Sequence, residues 1–283
     1  MRIAIIGADG QLGSDLTKIL QDSTIFPLFY PDFDITKPER TKRILFSLNP
    51  EIIINTAAYH NVDECEANPL KSFSVNSIAV KELVMVCREL NAVFVHFSTD
   101  YVFDGEKRKP YIEEDSPLPL NLYGVSKLSG EYFIRAHLKK HFLIRSCGLY
   151  GDSDRFGTSF VSKILALERK GKTLSIVNDQ WVTPTSTIDL AKKVVMLLQS
   201  SYYGLYHLTS EGQCTWFEFA EAIFEMLKKK PRLVSVDSAT YGAKARRPFY
   251  SVLENRQAKK MGFSGMMHWK TALENYIRRK SLV

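Results

Sequence analysis

The chain opens on an apolar run, Arg2-Ile3-Ala4-Ile5-Ile6, that passes directly into Gly7-Ala8-Asp9-Gly10-Gln11-Leu12-Gly13. No other feature restricts the fold as much. A strand that ends on Gly7-x-x-Gly10-x-x-Gly13 and gives way to a helical pattern is a dinucleotide fingerprint in its proper context. Gly7 permits the tight turn, Gly10 lets backbone N–H groups approach a pyrophosphate, and Gly13 allows close helix–sheet packing. The spacing differs from G-x-G-x-x-G but keeps the turn, the close approach and the helix packing in one short stretch.

The pattern downstream repeats the same unit. Strands are expected at Arg2–Ile6, Thr24–Phe29, Ile52–Asn55, Val93–Ser98 and Phe142–Arg145. Helical periodicity fills Gln11–Gln21, Glu39–Leu48, Ser72–Leu90 and Tyr123–Lys140. Strands rich in Ile, Val and Phe without alternation fit a parallel sheet covered on both faces. The expected fold class is therefore α/β: a doubly wound, Rossmann-like parallel sheet. Residues 104–121, with Pro110, Pro117 and Pro119, read as a long loop of the functional or mobile kind. After Gly151 the alternation loosens, with helices expected at Thr158–Lys170, Thr187–Gln199, Thr215–Lys229 and His268–Lys280. The expected division is a dinucleotide-binding domain over 1–150 and a smaller substrate cap over 151–283, with segments around 183–209 returning to the main domain.

A chain of 283 residues, 45% hydrophobic and 24% charged, can bury a substantial core. No stretch approaches the roughly 20 apolar residues of a bilayer span, and the N-terminus lacks signal-peptide features, so a cytoplasmic protein without a membrane partner is expected. Cysteines 65, 87, 147 and 214 form no C-x-x-C pair, which argues against a zinc site. The net charge of +7 is not clustered as nucleic-acid binding requires. Lys139-Lys140, Lys228-Lys229-Lys230 and Arg278-Arg279-Lys280 stand where helices should end and complement the helix dipole. A positive field still favours a small polyanionic ligand.

Tyr123-Gly124-Val125-Ser126-Lys127 places a phenol and an ammonium on one helical face. Such a Lys is expected to draw the Tyr pKa down from near ~10. Alone, Y-x-x-x-K is met on solvated helix faces, but two companions give it weight. One is the glycine fingerprint. The other is Ser98-Thr99-Asp100, polar residues at the carboxyl end of an apolar strand, where α/β ligands bind. A Thr99 hydroxyl can donate to a carbonyl that Tyr123 protonates. Asn55-Thr56-Ala57-Ala58 closes the third strand with small residues that let backbone pass close to a cofactor. Asn76 in the following helix is expected to satisfy a buried polar group near the site, and no chemical step is assigned to His60. After the second strand, Leu28-Phe29-Tyr30-Pro31 offers neither the ribose acid nor a base for a 2′-phosphate, and Asp34-Ile35 is expected to lie along the adenine. NADPH or NADH is expected, with the missing acid favouring NADPH.

With these residues assembled, the chain resembles an extended short-chain dehydrogenase/reductase of the dTDP-4-dehydrorhamnose reductase family over nearly its whole length. The resemblance runs through Gly7–Gly13, Asn55–Ala58 with Val62-Asp63-Glu64-Cys65-Glu66, and Ser98-Thr99-Asp100-Tyr101-Val102-Phe103-Asp104-Gly105. It continues through Tyr123–Glu131, Asn178-Asp179-Gln180, Pro184-Thr185, Gly204–Leu208, Thr215-Trp216 and Arg246-Arg247-Pro248. Tyr101 stands where related 4,6-dehydratases carry Glu, which speaks against a dehydratase. The resemblance implies Thr99, Tyr123 and Lys127 as the catalytic set. It implies Gly7, Gly10, Gln11, Leu12, Gly13, Asp34, Ile35, Ala57, Ala58, Tyr59, Tyr123 and Lys127 at the cofactor. At a nucleotide-sugar substrate it implies Val62, Thr99, Asp100, Tyr123, Gly148 and Arg247. It leaves room for a Mg2+ ion and a homodimer. The implied reaction reduces the 4-keto group of a nucleotide deoxysugar, dTDP-4-dehydro-L-rhamnose first, for cell-surface polysaccharide synthesis.

Two departures keep other readings in play. Gly148 stands where the family commonly has a Trp against the sugar, and Tyr59 and His60 also differ. A reductase of another nucleotide 4-keto-sugar is one alternative. A non-catalytic dinucleotide-binding regulatory subunit, like the methionine adenosyltransferase β subunits, is the other.

Overall fold

The structure, a computed structural model, describes residues 1–154, 157–263 and 265–280. Six strands form one sheet: β1 (Arg2–Ile6), β2 (Thr24–Leu28), β3 (Ile52–Asn55), β4 (Val93–Thr99), β5 (His141–Ser146) and β6 (Gly204–His207). Their order is β6-β5-β4-β3-β1-β2, and every neighbouring pair is parallel. Pro27 sits in β2 opposite Ile5. Its missing N–H is tolerated because β2 is an edge strand.

The absence of alternation in the strands follows from cover on both faces. Ile3 and Ile5 of β1 pack with Leu12 and Leu16 of α1 (Gln11–Ile19) and with Leu190 and Val194 of a C-terminal helix, Thr187–Leu198. Ala4 and Ile6 face the other way, toward Leu45 of α2 (Pro38–Leu48), Val80 and Leu83 of α3 (Ala79–Leu90), and Ile134 of α4 (Leu122–His137). These four β1 residues and the eight helix residues they meet are all buried, a gain of about 25 cal/mol per Å² of apolar surface removed from water.

The helix expected from Ser72 begins at Pro69 and is not uniform. Pro69–Phe73 is α-helical, Ser74–Ile78 forms one π turn, and Ala79–Leu90 resumes the α-helix. Beyond residue 150, helices Phe160–Arg169, Trp216–Met226 and Trp269–Arg279 share a second core around Phe219, Ile223 and Leu273. Trp216–Met226 starts from a capping box in which Thr215 and Glu218 satisfy each other's backbone N–H. The loop over 104–121 is pinned. Tyr111 is buried, its hydroxyl donates to Asp104 at 2.7 Å, and Glu113 accepts from the backbone of His207 and Gln257.

No helix of the described residues is long and apolar enough to cross a membrane. The cysteines at 65, 87, 147 and 214 are buried free thiols.

Candidate active site

The three glycines of the first turn are restricted by different neighbours. Gly7 has φ +78°, and a Cβ there would stand 2.7 Å from Thr56 Oγ1. A Cβ on Gly13 would overlap the Gly7 carbonyl oxygen, so α1 can sit this close to the turn only without a side chain. Gly10 is different: its Cβ would meet only the Gly7 carbonyl, at 3.3 Å. The space above Gly10 is thus bounded by no other protein group. Gly10 is also the N-cap of α1 and gives it no side-chain hydrogen bond, and the first turn has no acid. The orphan N–H groups of Gln11 and Leu12 with the dipole behind them suit a phosphate, so the cradle fits the expected dinucleotide.

Around it, Thr56 donates to the carbonyls of Ile6 and Gly7, which locks the end of β3 onto the turn. Asp34 uses Oδ1 to accept from both the N–H and the hydroxyl of Thr36 at 2.9 and 2.7 Å, shaping the loop after β2. Ile35 beside it is buried. Asn76, on the π turn, accepts from Tyr59 N–H and donates to Tyr59 C=O, both at 2.9 Å, and so fixes the backbone that follows Ala57-Ala58. Its amide also donates to Ser126 on α4. A π turn at such a junction is a known way of aiming a side chain sideways out of a helix.

The β4–β5 register sets Thr99 opposite Ser146, and a 3₁₀ turn follows over Asp100–Val102. Asn121 caps α4 by accepting from Gly124 N–H at 2.8 Å, and Glu66 accepts from Leu122 N–H at 2.8 Å. A Cβ on Gly124 would overlap the Tyr101 carbonyl. Gly124 therefore lets the helix carrying Tyr123 lie directly on the turn carrying Thr99, and the rings of Tyr101 and Tyr123 meet edge-on with centroids 6.2 Å apart.

Electrostatics at the site differ from the expectation. Burial pushes the half-buried Tyr123 phenol well above its ordinary range, and the Asp100 carboxylate adds to this. A hydrogen bond with Thr99 opposes them only in part. Lys127 does not bring the phenol toward neutrality in this arrangement. Lys127 itself is 2% exposed, and its Nζ donates to the Phe97 carbonyl at 2.6 Å and lies 3.2 Å from His96 Nε2. Burial lowers its pKa to about 8, against the pull of Glu131. The reason is dielectric: taking an ammonium out of water disfavours it more than one distant carboxylate restores it. Thr99 donates to Asp100 Oδ1 at 3.0 Å and accepts from Tyr101 N–H at 3.1 Å, so offering its hydrogen to a carbonyl requires turning the hydroxyl away from Asp100. Burial raises the Asp100 carboxyl despite the hydroxyls and thiol of Ser251, Cys147 and Thr99.

Three further candidates, Arg247, Val62 and Gly148, have these surroundings. Arg247 holds Asp63 with two bonds, 3.2 and 2.9 Å, and so ties the stretch after β3 to the segment 244–248. It also lines a cavity of about 360 Å³ with Gln180, Ser238, Lys244, Arg246 and Phe249. Val62 begins the short helix Val62–Ala67 and is half-buried. Gly148 has φ +54°, and a Cβ there would stand 3.2 Å from Trp216 Cη2 and 3.2 Å from Pro184 Cα. The aromatic ring at this place comes from Trp216, far along the chain. His96 is the buried residue at the site that sequence reasoning missed, since a His inside an apolar strand carries no spacing signal. Among the described residues no group of three or more His, Cys, Asp and Glu could hold a metal ion.

Comparison with known proteins agrees over the full length. The sequence pattern of the RmlD substrate binding domain matches residues 1–282. The spore coat polysaccharide biosynthesis protein SpsK of Bacillus subtilis is 35% identical, over 99% of this chain and 98% of its own. A dTDP-4-keto-6-deoxy-D-glucose reductase of Streptomyces niveus is 36% identical, over 96% and 95%. The crystal structure of dTDP-4-dehydrorhamnose reductase from Bacillus anthracis in complex with NADP superposes with a TM-score of 0.94 at 34% identity, covering 98% of this chain and 99% of that one.

Proposed function

Because the chain belongs to the RmlD substrate binding domain family and is an NAD(P)H-dependent reductase of nucleotide 4-keto-deoxysugars, we propose that it reduces dTDP-4-dehydro-L-rhamnose to dTDP-L-rhamnose. The observation that carries the reading is the placing of Thr99, Tyr123 and Lys127 at one point on the carboxyl edge of the sheet, with Gly124 flush against the Tyr101 carbonyl. In this reading Gly7, Gly10, Gln11, Leu12 and Gly13 cradle the pyrophosphate, and Asp34-Ile35 and Ala57-Ala58-Tyr59 flank the adenosine and the nicotinamide ribose. A nicotinamide held there would supply the hydride for C4 of the sugar. Tyr123 delivers the proton to the ketone oxygen, and a phenol held above its ordinary pKa keeps that proton until the alkoxide develops. Thr99 orients the same oxygen, and Lys127 holds the ribose. Val62, Asp100 and Gly148 bound the sugar, and Arg247 meets the diphosphate. NADPH is the preferred cofactor because β2 ends on Leu28-Phe29-Tyr30 without the ribose acid; the NADP-bound relative supports this.

The test is turnover of a panel of nucleotide 4-keto-deoxysugars with NADPH and with NADH. The rhamnose precursor should be reduced fastest, and Tyr123→Phe should lose at least about a hundredfold in kcat. A Tyr123→Phe variant that keeps the wild-type rate, or a chain that binds NADPH but reduces none of the panel, overturns the reading. One observation favours a second sugar. With Trp216 and Pro184 closing over Gly148, the pocket wall is built from the C-terminal portion, and a relative acts on dTDP-4-keto-6-deoxy-D-glucose. Faster turnover of that ketose on the same panel would select it.

A further inference from the structure

A second phenol stands beside Tyr123. Tyr101 is the middle residue of the 3₁₀ turn Asp100–Val102 that follows β4. Its backbone is held on both sides. The N–H donates to Thr99 Oγ1 at 3.1 Å, and the carbonyl is packed so closely on Gly124 of α4 that no Cβ fits between them. The ring is held as well, edge-on to Tyr123 at an interplanar angle of 78°. The direction of this side chain is therefore set by the same two elements that carry Thr99 and Tyr123.

Its hydroxyl differs from those of other tyrosines in the molecule. Tyr111, Tyr206 and Tyr250 each donate to a protein oxygen, of Asp104, of the Tyr202 backbone and of Gln213 respectively. The Tyr101 hydroxyl has no hydrogen-bond partner among the described residues, and it is not sealed from solvent. A buried or half-buried phenol ordinarily finds a partner. One that is fixed in direction and left unpaired is a donor available to a ligand.

The charge state suits that use. Burial and the Asp100 carboxylate push the Tyr101 phenol above its ordinary range, and the Arg247 guanidinium opposes them without reversing the shift. Tyr101 therefore keeps its hydrogen at neutral pH. The guanidinium that acts on it also lines the cavity shared with Lys244 and Arg246. Tyr101 thus touches the proton donor and lies within electrostatic reach of Arg247. In a nucleotide sugar the group that joins the reacting ring to the rest of the diphosphate is the phosphate on the anomeric carbon.

We propose that Tyr101 is a substrate-binding residue whose hydroxyl donates to the sugar-bound β-phosphate, beside Arg247. The two groups divide the work. Arg247 supplies charge, and Tyr101 supplies a bond of fixed direction without burying a further cation.

The role of Tyr101 rests on the reductase reading for where ketone and diphosphate lie, but binding is measured without turnover. The full chain saturated with NADP+ is titrated by calorimetry with dTDP, and with dTMP, which lacks the β-phosphate. Tyr101→Phe keeps the ring against Tyr123 and removes only the hydroxyl. It should weaken dTDP about tenfold and leave dTMP within about twofold. Equal losses for the two nucleotides, or no loss for dTDP, overturn the proposal. In turnover of the 4-keto-deoxysugar the same variant should raise KM about tenfold, with kcat and its pH profile little changed. A fall in kcat at unchanged KM assigns the hydroxyl to the chemical step and overturns the proposal. Wild-type affinity of Tyr101→Phe for dTDP in an active reductase counts against Tyr101 only. Selective loss of dTDP affinity in a chain that reduces no 4-keto-sugar counts against the reductase reading only.

Discussion

Two charged pairs brace the site, and they are built to opposite ends. Arg145–Glu131, under α4, is 1% and 0% exposed and closed by two short hydrogen bonds. Arg247–Asp63, beside the start of α4, has the same fork geometry but is 19% and 38% exposed. Water screens the second pair and not the first. A buried guanidinium cannot change partners without a large desolvation penalty. A half-exposed one exchanges a carboxylate for another anion at small cost, which is what a residue proposed to meet a diphosphate must do. Rigid geometry is thus placed under the proton donor, and exchangeable charge where ligand has to enter.

The sharpest way to break this contrast is Glu131→Gln, which leaves Arg145 buried without its countercharge. The expected loss is about 3–5 kcal/mol of stability, measured by denaturant unfolding. An effect as small as that at the exposed pair would remove the distinction.

Lys127 gives a pH-resolved version. Its folded pKa of about 8 lies below the ordinary 10.5, so between these values the unfolded chain binds a proton that the folded chain does not, and stability rises with pH. Below pH 8 the penalty is complete. Compared with Lys127→Met, the wild type should gain on the order of 2 kcal/mol between pH 7 and pH 10.5; parallel stability curves would contradict the assigned burial cost.

Gly124→Ala comes next, because its Cβ overlaps the Tyr101 carbonyl and backbone must move. A destabilisation of about 1–3 kcal/mol is expected, together with a fall in kcat larger than that of Val125→Ala on the exposed side of the same helix. The smallest stability effect belongs to Asp63→Asn, below about 1 kcal/mol by thermal unfolding. Burial acts to raise the Asp63 carboxyl, but bonds from Arg247 and Ala245 hold it below its ordinary value. The strap is therefore complete above the ordinary carboxylate range and is lost as the pH falls through that lowered value. Freed of Asp63, Arg247 should bind the nucleotide diphosphate more tightly, seen as a lower KM with kcat little changed.

Much of this molecule could be read from local pattern. The strand-to-glycine turn, the unbroken apolar runs and the Y-x-x-x-K spacing each depend on residues within one or two turns of each other, and β1 and β3 have the limits their patterns predict. Other parts could not be read in this way. Gly204–His207 is a short run with no helical or strand period of its own, and it becomes β6 only by pairing with β5. The π turn at Ser74–Ile78 follows a pattern that reads as ordinary helix, and it is the bonds of Asn76 to Tyr59 that give it a purpose. Trp216 stands against Gly148 although nearly 70 residues separate them along the chain.

The sequence alone determined the dinucleotide turn, the layered sheet, and the presence of Thr99, Tyr123 and Lys127 as candidates, because glycine spacing and hydrophobic period act over short stretches of chain. Only the tertiary structure decided what state those candidates are in. The pKa of Lys127 depends on its burial, and the His96 that lies beside it is set against Asn55 by the β3–β4 register. Solvation and proton placement are properties of the packed whole, and no spacing along the chain encodes them.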